Sequence, residues 1–154
     1  VAQSFTQVQQ ALDARLLTVP GITASGMGAN FTAENSPNWR TTAPDPTGKL
    51  WVRSTLRPYS TTNETLGQSG YVKVNGLYAV DVMSRIDSGY TAAKLMADAI
   101  LAAFVRGTRL TLANGDALTI ESASLAPDIT QGAWRASGLY CVQVQVRWFG
   151  YVVP

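Results

Sequence analysis

The stretch LMADAILAAFVRGTRLTLANGDALTIESA, residues 95–123, changes its hydrophobic period abruptly. Ala93, Met96, Ile100 and Phe104 recur at the spacing of one helix face, with Lys94 and Asp98 on the opposite side. The helical period stops at Arg106-Gly107-Thr108, where Gly107 fits a left-handed C′ position that only glycine occupies without steric cost. Two short alternating runs follow, Leu110/Leu112 and Leu118/Ile120, around Asn114-Gly115, which predicts a hairpin.

The same two periods organise the rest of the chain. SFTQVQQALDARLLTV predicts a first helix, with Ser4 and Gln7 spaced as a capping box. Phe5, Val8, Leu12 and Leu16 share its apolar stripe; Gln3, Gln10 and Asp13 lie off it, and Pro20-Gly21 ends it. In KLWVRSTLR, Leu50, Val52 and Leu56 alternate with Trp51, Arg53, Thr55 and Arg57, which predicts a strand. PYSTTNETLGQSG then reads as a polar loop. In YVKVNGLYAVDVM, Val72, Val74, Tyr78, Val80 and Val82 are in phase across Asn75-Gly76, so either two strands meet at a turn or one strand bulges there. A loop with Pro127 and Trp134 leads to LYCVQVQVRWF, where Tyr140, Val142, Val144, Val146 and Trp148 face away from Cys141, Gln143, Gln145 and Arg147.

Residues 21–48 show no sustained period. Gly, Pro, Asn, Ser and Thr dominate, and a loop of this length inside a domain is commonly functional or disordered. It carries Phe31 and Trp39. Two large aromatics on an irregular segment suggest an assembly arm covered by a neighbouring subunit, on which the domain's own folding depends little; the other reading is that they cover the subunit's own sheet. Phe31, Trp39 and Trp134 are the candidate oligomer-interface residues. The order of elements predicts an α+β fold, two helices packed on a mainly antiparallel sheet with one long irregular loop, in a single domain spanning 1–154.

Composition narrows the function more than the fold. Only 14% of the 154 residues are charged against 46% hydrophobic, a balance that suits a subunit hiding surface in an assembly. Net charge is +2 and the basic residues are scattered with no run, which argues against a dedicated nucleic-acid binder. No apolar run approaches a membrane span, and VAQSFTQVQQ lacks the features of a signal peptide. The expectation is a cytoplasm-like compartment, with an initiator Met removed before Val1.

Candidate chemistry is sparse. The chain has no histidine, the side chain most used for acid–base work at neutral pH and a frequent metal ligand. The single Cys141 excludes an intrachain disulfide and reads as a small half-buried hydrophobe in a strand. Asp81, Asp87 and Asp98 would be the carboxylates of a divalent-metal site, but read better as solvated surface groups. GMG at 26–28 lacks the third glycine and preceding strand of a dinucleotide fingerprint, and PTGK ending at Lys49 lacks the first glycine and following helix of a P-loop. Asn30 and Asn63 match a glycosylation pattern that has meaning only after a signal peptide. Ser–Lys catalysis remains open. No catalytic residue, cofactor or metal is expected.

Beyond these readings, the helix ending in FVRGTRL, the hairpin with ALTIESASLAPDI, and GAWRASGLYCVQVQVRWF resemble the tail terminator proteins of long-tailed bacteriophages, lambda gpU-like tail-completion subunits. AENSPNW, DPTGKLWVRSTLRP and TLGQSGYVKVNGLYAVDV are similar to the same pattern. The resemblance runs from Ala11 to Phe149, rests on the order and spacing of elements, and departs from the pattern between Gly21 and Gly48. It implies a non-enzymatic virion protein at the tail–head junction, assembled in the host cytoplasm. The implied partners are copies of itself in a hexameric ring, the tail tube protein and a head-side connector protein. DNA would pass through the lumen without specific binding, and no membrane is involved. Another neck or head–tail joining protein, and a small His-free enzyme or ligand-binding module, are the alternatives.

Overall fold

The computed structural model describes residues 5–23, 29–32, 50–63, 72–85, 89–126 and 139–152. Its elements are α1 (Phe5–Leu16), β1 (Ile22–Thr23), β2 (Ala29–Thr32), β3 (Trp51–Asn63), β4 (Val72–Arg85), α2 (Thr91–Ala103), β5 (Arg109–Thr111), β6 (Ala117–Leu125) and β7 (Leu139–Val152). The strands form one sheet in the order β1-β2-β3-β4-β7-β6-β5. From β3 to β5 every pairing is antiparallel; β1–β2 and β2–β3 are parallel. The architecture is α+β with both helices on one side of the sheet, as the two periods imply.

The core lies between the helices and that side. Val52, Val80, Val82, Val144, Val146, Trp148, Leu118 and Ile120 supply the sheet's apolar face, fully or almost fully buried. From α1 come Val8, Leu12 and Leu16; from α2, Ala93, Ala97, Ile100 and Phe104. The small alanines let α2 approach the strands closely. Arg15 Nε donates to the Ala103 carbonyl at 2.9 Å, so a residue in the last turn of α1 satisfies an end carbonyl of α2.

Several expectations are corrected. Phe5 is 46% exposed, so the buried stripe of α1 starts at Val8. Gln7 Oε1 is buried without a hydrogen bond, so the return half of the capping box is not made; Ser4 lies outside the described residues. Residues 21–48 are not wholly irregular, because β1 and β2 fall within them and β2 pairs with β3. Two short strands at one edge of the sheet thus come from this segment, so it is part of the domain's own sheet as well as a connector. The polar run after Leu56 is not a loop up to Asn63 but the second half of β3, paired with β4. There the antiparallel ladder supplies the order that side-chain alternation does not advertise.

Asn75-Gly76 is neither a turn nor a bulge of its own strand. β4 runs through it without interruption, and the register shift lies opposite, in β3 between Pro58 and Ser60. Pro58 pairs with Gly76 and Ser60 with Asn75, so Tyr59 is the extra residue. Asn75 Nδ2 donates to Ser60 Oγ across the shift at 3.2 Å. Proline lacks an N–H, and a bulge is one of the few places a sheet accepts it.

Gly107 has the expected positive φ, 85°, but not as the C′ residue. Phe104 is the C-cap, and Thr108 N–H bonds to Val105 O at 3.0 Å, so Gly107 is the third residue of a turn after the helix. Its N–H then donates to Ile120 O at 2.8 Å, joining the turn to β6. A Cβ at Gly107 would meet nothing within 4 Å, so Gly107→Val isolates the backbone strain. The melting midpoint should fall by an amount equivalent to about 1 kcal/mol or more. An unchanged midpoint would contradict the assignment.

The Asn114-Gly115 hairpin is built on a three-residue loop. Gly115 N–H bonds to Leu112 O at 3.0 Å, Leu112 N–H to Asp116 O at 2.7 Å, and Gly115 has φ 90°. This is the turn with a left-handed third residue that strand twist favours. Asn114 Oδ1 accepts from Asp116 N–H at 3.0 Å and locks the loop.

Candidate functional site

Asp13 makes a polar clamp between helix and sheet. It lies off the apolar stripe of α1, yet the sheet reaches it: Tyr78 OH donates to Asp13 Oδ1 at 2.5 Å and Ser54 Oγ donates to the same oxygen at 2.9 Å. Tyr78 and Ser54 are fully buried. Burial first, then the Asp13 charge and hydrogen bond, hold the Tyr78 hydroxyl well above its usual pKa of 10.0; a hydrogen bond with Ser54 opposes them. Below about pH 10 folded and unfolded chains both keep this proton, and its contribution to stability is complete. Above that pH the unfolded chain releases the proton while the folded chain retains it, so stability falls as pH rises toward the folded value. Tyr78→Phe should remove this part of the alkaline loss. Denaturant midpoints of both proteins at about pH 8 and about pH 11 read it directly. A gap between them that does not change with pH would contradict it.

The outer face of the sheet, opposite the helices, is organised in rows across β3, β4 and β7. The first row is Trp51, Met83 and Cys141, all buried, forming a second small apolar cluster. Cys141 is thus 2% exposed, more buried than its strand pattern implies. The next row is Arg53, Asp81 and Gln143. Arg53 Nη2 and Nε donate to Asp81 Oδ2 at 3.0 and 3.2 Å, Gln143 Nε2 donates to Oδ1 at 2.7 Å, and Gln145 Nε2 donates to Gln143 Oε1 at 3.0 Å. Asp81 is therefore not a solvated carboxylate: it is 5% exposed, with both oxygens occupied. A buried charge needs such compensation, and its loss of one partner would be costly. Asp98 is exposed on α2, and Asp87 lies outside the described residues. Among the described residues no three His, Cys, Asp or Glu side chains gather as a metal site would.

Beyond these rows the outer face opens and its chemistry changes. Arg57, Leu77 and Arg147 form one row, with both arginines exposed. Arg109, Thr119, Phe149 and Asn75 form the next, followed by Lys73 and Tyr151. Lys73 Nζ stands 4.7 Å from the Phe149 ring centroid, and Phe149 meets Tyr151 edge-on at 5.7 Å. A groove of about 340 Å³ runs beside them, with Arg109, Asp116, Thr119, Phe149 and Tyr151 in its lining.

Of the three interface candidates only Phe31 falls among the described residues. Phe31 stands in β2 opposite Val52, while Trp39 and Trp134 lie outside the described residues. Among the described residues the exposed large apolar side chains are Phe5, Leu17, Tyr90, Leu95, Val105, Leu125 and Tyr151. Most of these stand on or beside the helices; Phe5 falls on the apolar stripe that the spacing predicts for α1, whereas Leu95 lies off the stripe of α2.

A second open feature is the edge of β6. β5 pairs with it only over Ala117–Thr119, extended by the Gly107 and Thr108 bonds to Ile120. Past the shift between Ile120 and Ser122, no described strand pairs with that side of β6, while β7 continues to pair with the other side through Leu125.

The family model for the phage tail terminator protein matches residues 7–148, from within α1 through most of β7. The chain belongs to the phage tail terminator family. Membership makes it a structural protein of the phage tail and places it in the virion. Solved structures share the terminator's fold. One chain superimposes with a TM-score of 0.68 at 16% identity over 99% of both chains. Another, from the virion of a native gene transfer agent (GTA) particle, has a TM-score of 0.57 at 13% identity, covering 99% of this chain and 100% of that one. No curated protein matches the sequence. Among the described residues, no helix of the terminator is long and apolar enough to cross a membrane.

Proposed function

We propose that this tail terminator acts as one domain over 1–154 and closes into a homo-oligomeric ring, six-fold, on the finished end of the tail tube. The ring stops tube polymerisation and presents its other side to the head-side connector. The family match over 7–148 carries this reading. Termination by this route is steric and needs no catalytic group, cofactor or metal: one side resembles the next tube subunit and the other refuses addition.

The geometry supports it in two ways. A half-edge of β6 beside which no described strand pairs offers main-chain donors and acceptors to a neighbour, and head-to-tail contacts between unlike surfaces close into rings where the rotation permits. The exposed Tyr90, Leu95 and Val105 on and beside α2, with Leu125 at the end of β6, are apolar surface of the kind that subunit contacts cover. Phe31, Trp39 and Trp134 remain proposed interface residues. Assembly would take place in the host cytoplasm. Particles made without this protein should carry tails of irregular, extended length by electron microscopy. Tails of uniform normal length in its absence would contradict the proposal.

A further inference from the structure

The basic residues are dispersed along the sequence but not on the sheet. Arg53, Arg57, Lys73, Arg109 and Arg147 come from four strands and lie 4 to 38 residues apart in order, yet all register on the outer face. Period-two geometry is the cause: Arg57 and Arg147 flank Leu77 in one row, while Arg109 and Lys73 fall in the rows beyond. The acidic residue registering on the described strands of this face is Asp81, and Arg53 already neutralises it. That leaves Arg57, Lys73, Arg109 and Arg147. Neighbouring strands are ~4.8 Å apart and alternate residues ~7 Å, so neighbouring cations of the four stand ~10–15 Å apart and the outermost pair, Arg57 and Arg109, ~20 Å apart. Asp116 in the hairpin turn and Glu121 in the β6 bulge stand at the margin.

We infer that this face binds the phosphate backbone of duplex DNA. Its complement is a regular polyanion: the duplex carries one negative charge per ~1.7 Å of axis, so several phosphates come within reach of four cations at once. Contacts of this kind hold any sequence equally, because phosphates carry no base information. Arg57 and Arg147 stand in one cross-strand row, beside the Arg53–Asp81–Gln143 hydrogen bonds on one side and the half-buried Phe149 on the other, so the ladder fixes the backbone positions from which they project. Affinity of a single subunit is modest and falls steeply with salt; repetition of the face around a ring multiplies it. This inference rests on charge placement alone. If the terminator forms the proposed ring, the outer sheet face lines its lumen.

Fluorescence anisotropy of the full chain with labelled duplex DNA tests it. Four phosphate contacts give a slope of about −3.6 in log affinity against log salt, which is about a 150-fold loss between about 50 and about 200 mM salt. The triple variant Arg57→Gln/Lys73→Gln/Arg147→Gln should retain a slope of only about −0.9, and each single variant should lose about 0.9. Lys94→Gln/Arg106→Gln, on the helix side, should leave the slope unchanged. Absence of binding by the wild type at low salt overturns the inference, as does an equal loss in the helix-side variant. The single variants keep the test readable if the triple variant does not fold. Tail length reads termination and not DNA affinity, so this inference and the ring proposal can fail separately.

Discussion

Gly76→Ala should cost about 3 kcal/mol, an unusually large effect for one methyl group. A Cβ built at Gly76 would lie 2.3 Å from Cζ2 of Trp148 and 2.5 Å from Cε2, far inside van der Waals contact. The indole cannot move away easily: Trp148 is fully buried, and the core around it is the packed interface of sheet and helices. Gly76 and Trp148 are direct cross-strand partners in the β4–β7 ladder, so relief requires either a shifted ring or a broken register. A specific rescue is expected. In a Trp148→Leu background, which is itself destabilised, the added cost of Gly76→Ala should fall below about 1 kcal/mol, because the group it collides with is gone. Denaturant unfolding of the four proteins completes the cycle. Equal costs in both backgrounds would show that the methyl group meets something other than the indole.

Asp13→Ala should be the next largest loss, about 2 kcal/mol or more. Its carboxylate accepts from the buried Tyr78 and Ser54 hydroxyls, and a hydrogen bond to a charged group is stronger than one between neutral partners. Alanine removes the acceptor while the hydroxyls stay buried beneath α1. Much of the effect should vanish when Tyr78 is already phenylalanine, since the two groups then no longer share a bond. A loss below about 0.5 kcal/mol, or strict additivity with Tyr78→Phe, would contradict the clamp.

What the sequence made legible follows from which interactions are periodic. β7 alternates Val142, Val144, Val146 and Trp148 against Gln143, Gln145 and Arg147, and α2 spaces Ala93, Ile100 and Phe104 on one face. Each pattern records burial against a single surface, so the elements and the α+β class could be read from it. The far half of β3 could not: Ser60 and Thr61 are exposed, and only main-chain pairing to β4 keeps them extended. β1 and β2 are 2 and 4 residues long, too short to establish a period. Gly76 looked like part of a turn because Asn-Gly usually is one, and Trp148 lies 72 positions away.

The candidate site was less legible for a related reason. Asp13 is polar and off the stripe, and nothing local marks it as an acceptor for Tyr78, 65 residues on. Asp81 looked solvated because its two partners, Arg53 and Gln143, become its neighbours only through strand register. The basic outer face was hidden in the same way: no run of Lys or Arg exists in the sequence, and the cross-strand rows assemble one. Of the interface candidates chosen as aromatics in irregular segments, Phe31 belongs to a strand; the exposure of Leu95, Val105 and Leu125 depends on which helix face and strand end the sheet leaves open, which no local pattern records.

In the proposed role, copies of this chain close the tail tube where it meets the head. A reconstruction of the neck of the assembled virion tests it most directly. The expected result is a single ring of this chain, six-fold, between the last tube ring and the head-side connector, with the outer sheet faces turned to the lumen. Density for this chain at a different level of the neck, or its absence from the junction in complete particles, would contradict it.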